Sequence, residues 1–94
     1  MNIILFPQRR DDILTASKSG ETLTLNGDAV DLSSVEEGEE YFTKHPWIID
    51  PVTRVNGNIQ VGIILPHGPD ADESVRFPDS LIDPEDGPLN LPGM

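Results

Sequence analysis

A mainly β domain is what this chain of 94 residues predicts, and three observations carry that reading. Two Asn-Gly dipeptides, Asn26-Gly27 and Asn56-Gly57, each lie between runs of strand-forming residues, and Asn-Gly tolerates the positive φ angles needed where twisted strands reverse. Apolar residues recur in short runs and alternations rather than at helical spacing. Only Ser33 to Glu40 could start a helix. The expected architecture is a small antiparallel sandwich or barrel-like roll, built from two hairpins and an N-terminal strand over residues 1–77. A proline-rich extended C-terminal arm, 78–94, follows it.

Taken in order, Asn2 to Phe6 is nearly continuously apolar, which suits a strand buried on both faces, and Pro7 is expected to end it. A charged corner, Gln8 to Asp12, precedes a plausible strand over Ile13 to Lys18. Ser19-Gly20 then turns the chain into Glu21-Thr22-Leu23-Thr24-Leu25, the cleanest alternation in the first half. A two-residue loop at Asn26-Gly27 would set Leu23 opposite Val30 and Glu21 opposite Leu32, so that both strands share one apolar side. In Ser33 to Glu40, a serine could cap a first turn rich in glutamate, but Gly38 argues against more than one turn.

Trp47 to Pro66 is the longest apolar-rich stretch and reads as the main hairpin. A two-residue loop would pair Val55 with Asn58, putting Asp50 and Arg54 on the face of Ile59, Val61, Ile63 and Leu65. A three-residue loop, Asn56-Gly57-Asn58, would instead align Trp47, Ile49, Thr53 and Val55 with those aliphatics and turn the charges to water. The second is preferred, because a one-residue slip exchanges the two faces of a strand and the core should decide. Pro51 has no N–H for a ladder, so the first strand is an edge there or carries a bulge. Beyond Leu65 the chain is turn-rich and acidic. Val75-Arg76-Phe77 is long enough for a short strand, and four of the nine prolines fall in the arm.

Six basic against seventeen acidic residues give a net charge of −11, which argues against a general basic surface for nucleic acid or anionic membrane. The first twenty residues carry +1, from Arg9, Arg10 and Lys18 against Asp11 and Asp12. With no cysteine there is neither disulfide nor thiolate chemistry. No stretch approaches the roughly 20 apolar residues of a membrane span, and the charges follow the first apolar run rather than precede it, unlike a signal peptide. The expected location is the cytoplasm of the cell that makes the protein.

Candidate chemistry is sparse. His45 and His67 flank the main hairpin, whose ends meet, so they and Asp70 or Asp72 sketch a metal site; two loop histidines brought together by the hairpin are the plainer account. Asp70-Ala71-Asp72-Glu73 lacks the glycine and distant glutamate of a calcium loop. The serines form no nucleophile elbow and the glycines no phosphate loop. No enzyme and no cofactor are therefore expected. Crowded acids could imitate a phosphate backbone and occupy a DNA-binding or restriction protein of a host. The leucines of the arm could anchor a protein partner.

Phe6-Pro7-Gln8-Arg9-Arg10-Asp11-Asp12, Ser17-Lys18-Ser19-Gly20-Glu21, Leu23 to Gly27, Trp47-Ile48 and Leu65-Pro66-His67-Gly68 resemble a group of small, acidic, uncharacterised proteins. These are encoded in prophages and tailed phages near tail and tail-fibre genes. The likeness runs over most of residues 1–70 and contains no catalytic motif. It implies a tail-associated structural or assembly role, possible incorporation in the virion tail, and a tail or tail-fibre protein as partner. Strand addition at exposed hairpin edges would then supply contacts. Arg9 and Arg10 are the expected local basic contact, with Leu81, Ile82, Leu89 and Leu91 as anchors of the arm. Deleting 78–94 should then weaken binding without unfolding the body. Homo-oligomerisation is open, since acidity opposes it and exposed edges favour it.

Overall fold

Two sheets share one apolar core, and the chain passes between them several times. The computed structural model describes residues 1–69 and 73–92. The strands are β1 (Asn2–Arg9), β2 (Ala16–Ser19), β3 (Thr22–Leu25), β4 (Asp28–Asp31), β5 (Glu40–Tyr41), β6 (Ile48–Val55) and β7 (Asn58–His67). A single helical turn, α1 (Glu73–Arg76), precedes β8 (Leu81–Ile82) and β9 (Gly87–Pro88). One sheet has the order β5-β6-β7-β1-β8, the other β4-β3-β2-β9. All pairings are antiparallel except β1 with β7, which run parallel from Asn2↔Gln60 to Arg9↔His67. The mainly β architecture of two hairpins and an N-terminal strand is thus the observed one.

Both hairpin turns have the same cause. Asn26 and Gly27 take φ of 49° and 85°, Asn56 and Gly57 52° and 79°, the positive pair a two-residue reversal requires. Leu23 lies opposite Val30 as expected, and the Leu32 N–H donates to the Glu21 carbonyl at 2.9 Å.

The register of the main hairpin corrects the preferred alternative. Val55 pairs with Asn58 and Arg54 with Ile59, so the loop has two residues and Arg54 shares the face of the aliphatic row. Ile49, Thr53 and Val55 are therefore not the core row of β6; Ile48 and Val52 are, while Trp47, just before the strand, is buried in the core cluster as expected. The inward charge is tolerated because its donors are used. Arg54 grips Glu21 through two bonds of 2.8 and 2.9 Å, and donates to the carbonyls of Val35 at 2.6 Å and Gly57 at 2.9 Å. Asp50 escapes that face through an irregularity at Pro51: four steps on β6, Ile49 to Thr53, lie against two on β7, Gly62 to Gln60. Its carboxylate instead accepts from the N–H groups of Thr43 and Lys44 and from the Thr43 hydroxyl, at 2.8–2.9 Å.

Three local expectations are also corrected. Pro7 does not end the first strand, which runs on to Arg9; β8 covers only Asn2 and Ile3, so at Pro7 one side of β1 has no neighbour needing an N–H. No helix forms over Ser33 to Glu40. There the Asp31 carboxylate accepts from the Ser33 N–H, Val35 is drawn into the core, and the Glu37 carboxylate takes the N–H groups of Asn56 and Gly57 at the opposite hairpin tip. The helical turn falls instead at Glu73–Arg76, where a short strand was expected over Val75 to Phe77; Val75 is buried.

The proline-rich arm gives one short strand to each sheet. β8 pairs with β1, β9 with β2, and Leu91 enters the core. Asp86 pairs with Lys18, and Asp83 holds the α-amino group of Met1 at 2.9 Å. Removing 78–94 therefore strips contacts from both sheets, and the body is expected to lose stability with it.

Candidate interaction surface

The parity of the five-stranded sheet sorts its side chains into two rows. Met1, Ile3 and Leu5 of the first segment, Ile48 and Val52, and Ile59, Val61, Ile63 and Leu65 form the core row, all buried. The alternate residues face the other way: Asn2, Ile4, Phe6 and Gln8 on β1, Ile49, Thr53 and Val55 on β6, Asn58, Gln60, Gly62, Ile64 and Pro66 on β7, and Ile82 on β8. None of these is charged. Phe6 is 44% exposed, Ile49 39%, Val55 50% and Ile82 67%.

A close approach organises the centre of this face. A Cβ at Gly62 would stand 2.5 Å from Phe6 Cε2 and 3.4 Å from the Ile49 Cβ. The missing side chain thus lets the Phe6 ring lie across the strand towards Ile49, which lowers the relief of the sheet. Beside it, the Asn2 and Gln60 carboxamides meet at 3.5 Å. Charges stand at the border: Glu40 on β5 and Asp83 after β8.

Edges are poorer contact surfaces than this face. β5 and β8 have two residues each, β4 carries Asp28 and Asp31 at its ends, and β9 contains Pro88. Short, acidic or proline-bearing edges discourage strand addition.

The sequence-derived contact residues fall in different surroundings. Arg9 is exposed. Arg10 is engaged: its guanidinium lies 4.3 Å from the Trp47 ring centroid and binds Asp12 through bonds of 2.8 and 2.6 Å. That bond holds the Asp12 carboxyl below its ordinary value. In the arm, Leu91 is buried and Leu81 and Leu89 pack partly against the core, whereas Ile82 stays open. Arg10 and His67 line one open hollow of about 540 Å³ with Ile13, Leu14, Thr15 and Pro66.

The two histidines make different contacts. His45 Nδ1 accepts from the Trp47 N–H at 3.2 Å, and its Nε2, buried and without a hydrogen bond among the described residues, stands 3.6 Å from the Asp28 carboxylate. His67 Nδ1 lies 2.8 Å from the Gly68 carbonyl oxygen. Among the described residues no three His, Asp or Glu side chains are grouped to hold a metal ion, and Asp70 and Asp72 lie outside them.

Much of the acidity is engaged in loop bonding. Arg54 keeps the Glu21 carboxyl low, the Ser33 bonds lower Asp31, Lys18 lowers Asp86, and the α-amino group lowers Asp83. At Asp50, burial pushes the carboxyl up, but the Lys44 and Thr43 donors outweigh it and the balance is downward. Comparison with protein-family models, curated proteins and solved structures finds no match.

Sequence reasoning missed Phe6, Ile49 and Gly62. The signal was present in Gly62, a glycine inside an apolar strand run, which marks a close approach. The preferred register hid the rest by assigning Ile49 and Val55 to the core.

Proposed function

We propose that the protein is a non-enzymatic structural or assembly component of a phage or prophage tail region, acting through protein–protein contact on the outer face of the five-stranded sheet. The observation that carries this reading is the uncharged face itself: four adjacent strands present no charged side chain in a chain of net charge −11. Exposed apolar patches on small soluble domains mark interaction sites. The tail context comes from the sequence resemblance. An acidic decoy for a host DNA-binding or restriction protein needs a row of carboxylates open to a basic groove, and the bonding of Glu21, Asp31, Glu37 and Asp50 within the fold weighs against it.

The test is a tagged pull-down from the lysate of an induced lysogen, at low and high salt, with wild type and Ile49→Glu. Salt-resistant recovery of tail or fibre proteins, lost in Ile49→Glu, is expected. Salt-sensitive recovery of a host nuclease or repressor, or tail proteins retained equally by both, would overturn the reading.

A further inference from the structure

We infer that Asn56-Gly57 is the site at which the folded chain deamidates, and that Glu37 sets the rate by holding the Gly57 nitrogen. This reactivity is independent of any partner on the sheet face.

Asparagine is a thermolabile residue, and a following glycine, with no side chain, leaves its own nitrogen open to attack the amide carbon. The Gly57 nitrogen, losing its proton to solvent base, bonds to Asn56 Cγ, and Nδ2 leaves with a proton as ammonia. The product is a five-membered succinimide. Water then adds to one of its two carbonyl carbons and breaks that carbon's bond to nitrogen. Opening at Cγ gives an aspartate; opening at the main-chain carbon gives isoaspartate, whose backbone runs through the side-chain methylene. One water is consumed and one ammonia released, and no oxidant or reductant takes part.

Both hairpin tips carry the dipeptide and take the same pair of positive φ angles, so local chemistry does not separate them. Their bonding does. At Asn26 the fold holds the reacting carboxamide: Oδ1 accepts from the Thr15 N–H at 2.8 Å and from its hydroxyl at 3.3 Å, and Nδ2 donates to the Ile13 carbonyl at 3.2 Å. These bonds turn the group towards residues 13–15 and must break before Cγ can reach the Gly27 nitrogen. Asn56 is exposed, and its carboxamide makes no hydrogen bond among the described residues.

What is held at the second tip is the nucleophile. Glu37 Oε1 accepts from the Gly57 N–H at 2.7 Å, and Oε2 from the Asn56 N–H at 2.9 Å. A carboxylate so placed keeps the proton on the nitrogen and opposes the negative charge that attack requires. Glu37 is itself an exposed side chain, so this restraint is lighter than the bonds on the Asn26 carboxamide. Either product places a second carboxylate beside Glu37, and isoaspartate lengthens the backbone of a two-residue reversal between Val55 and Asn58. The tie between Glu37 and the hairpin tip is then lost.

The full chain is incubated at mildly alkaline pH and mapped by trypsin, with fragmentation of peptides 19–44 and 55–76, which separate the two tips. Asn56 is expected to convert first, whereas in concentrated guanidinium chloride the two tips should convert at similar rates. Glu37→Ala should speed conversion at Asn56 roughly threefold or more, because a charge-assisted bond to the attacking nitrogen is gone, and leave Asn26 unchanged. Glu37→Gln, which keeps an acceptor without the charge, should fall between, and Glu36→Ala should match wild type. Circular dichroism checks that each is folded; should Glu37→Ala fail to fold, Glu37→Gln decides. Asn26 converting first, or the same ratio of rates in folded and denatured protein, would overturn the site. A rate at Asn56 unmoved by the Glu37 variants, or raised equally at both tips, would overturn the role of Glu37.

Discussion

The two faces of the five-stranded sheet come from alternate residues of the same strands, yet they differ in opposite ways from simple expectation. The inner face is buried apart from a partly enclosed charge, Arg54; the outer face holds no charge, and although Gly62, Ile64 and Pro66 are buried there, the apolar Phe6, Ile49 and Val55 are exposed. Buried polar groups and exposed apolar clusters are the informative exceptions to apolar-inside packing. Inside, the exception is stabilised by bonding: Glu21 and several backbone carbonyls take up the guanidinium donors. Outside, Gly62, Ile64 and Pro66 are buried while Phe6, Ile49, Val55 and Ile82 stay exposed among the described residues, and a contact surface accounts for that exposed part. A charge can turn inward where every donor is used, and an apolar row can face outward where a partner completes it.

The sharpest contrast between the faces is in stability. Ile63→Ala, at a fully buried position, is expected to cost about 2–5 kcal/mol in chemical denaturation, through lost burial and the cavity left behind. Val55→Ala, on the outer face of the same hairpin, should stay within about 0.5 kcal/mol. Equal losses would erase the distinction between the faces.

Gly62→Val probes the outer face alone. The added side chain must displace the Phe6 ring, at an expected cost of about 1–3 kcal/mol. In a double-mutant cycle Phe6→Ala should recover part of that loss, and strict additivity would mean that the ring does not rest on the glycine.

The smallest effect concerns the inner charge. Because Glu21 is held below its ordinary 4.5 by Arg54, its bond contributes fully above that pH and is lost as pH falls through the lowered value. Thermal denaturation of wild type should therefore show stability falling on acidification below about 4.5, with Asp50 adding to the fall from its own lowered value. Arg54→Met should be less stable at neutral pH and show a shallower acid slope. An unchanged slope would mean that the inward charge is not what Glu21 answers.

Much of the fold was legible where local chemistry decides alone. Asn-Gly turns dictated both reversals, and the alternation of Thr22 to Leu25 placed Leu23 against Val30. Legibility failed where distant groups decide. The register of β6 turned on partners for Arg54 that lie at Glu21, Ser33 and Val35, far away in sequence. Glu37, a plausible helix-starting residue, was taken by a hairpin tip across the molecule. Pro7 looked like an end because the sequence does not reveal that β8 stops short of it. The arm looked unattached because two-residue strands leave no period to read. The surface residues went with the register: once Arg54 is placed inward, Ile49 and Val55 must face outward, and the uncharged row appears.

Methyl chemical shifts followed as a tail or fibre protein recovered in the pull-down is titrated in test the central claim most directly. The account predicts shifts at Ile49, Val55 and Ile82 on the outer face, with the core methyls of Ile3, Ile59 and Ile63 unmoved. Shifts that gather instead at β4 or around Leu89, or that never leave the values of the free protein, would contradict it.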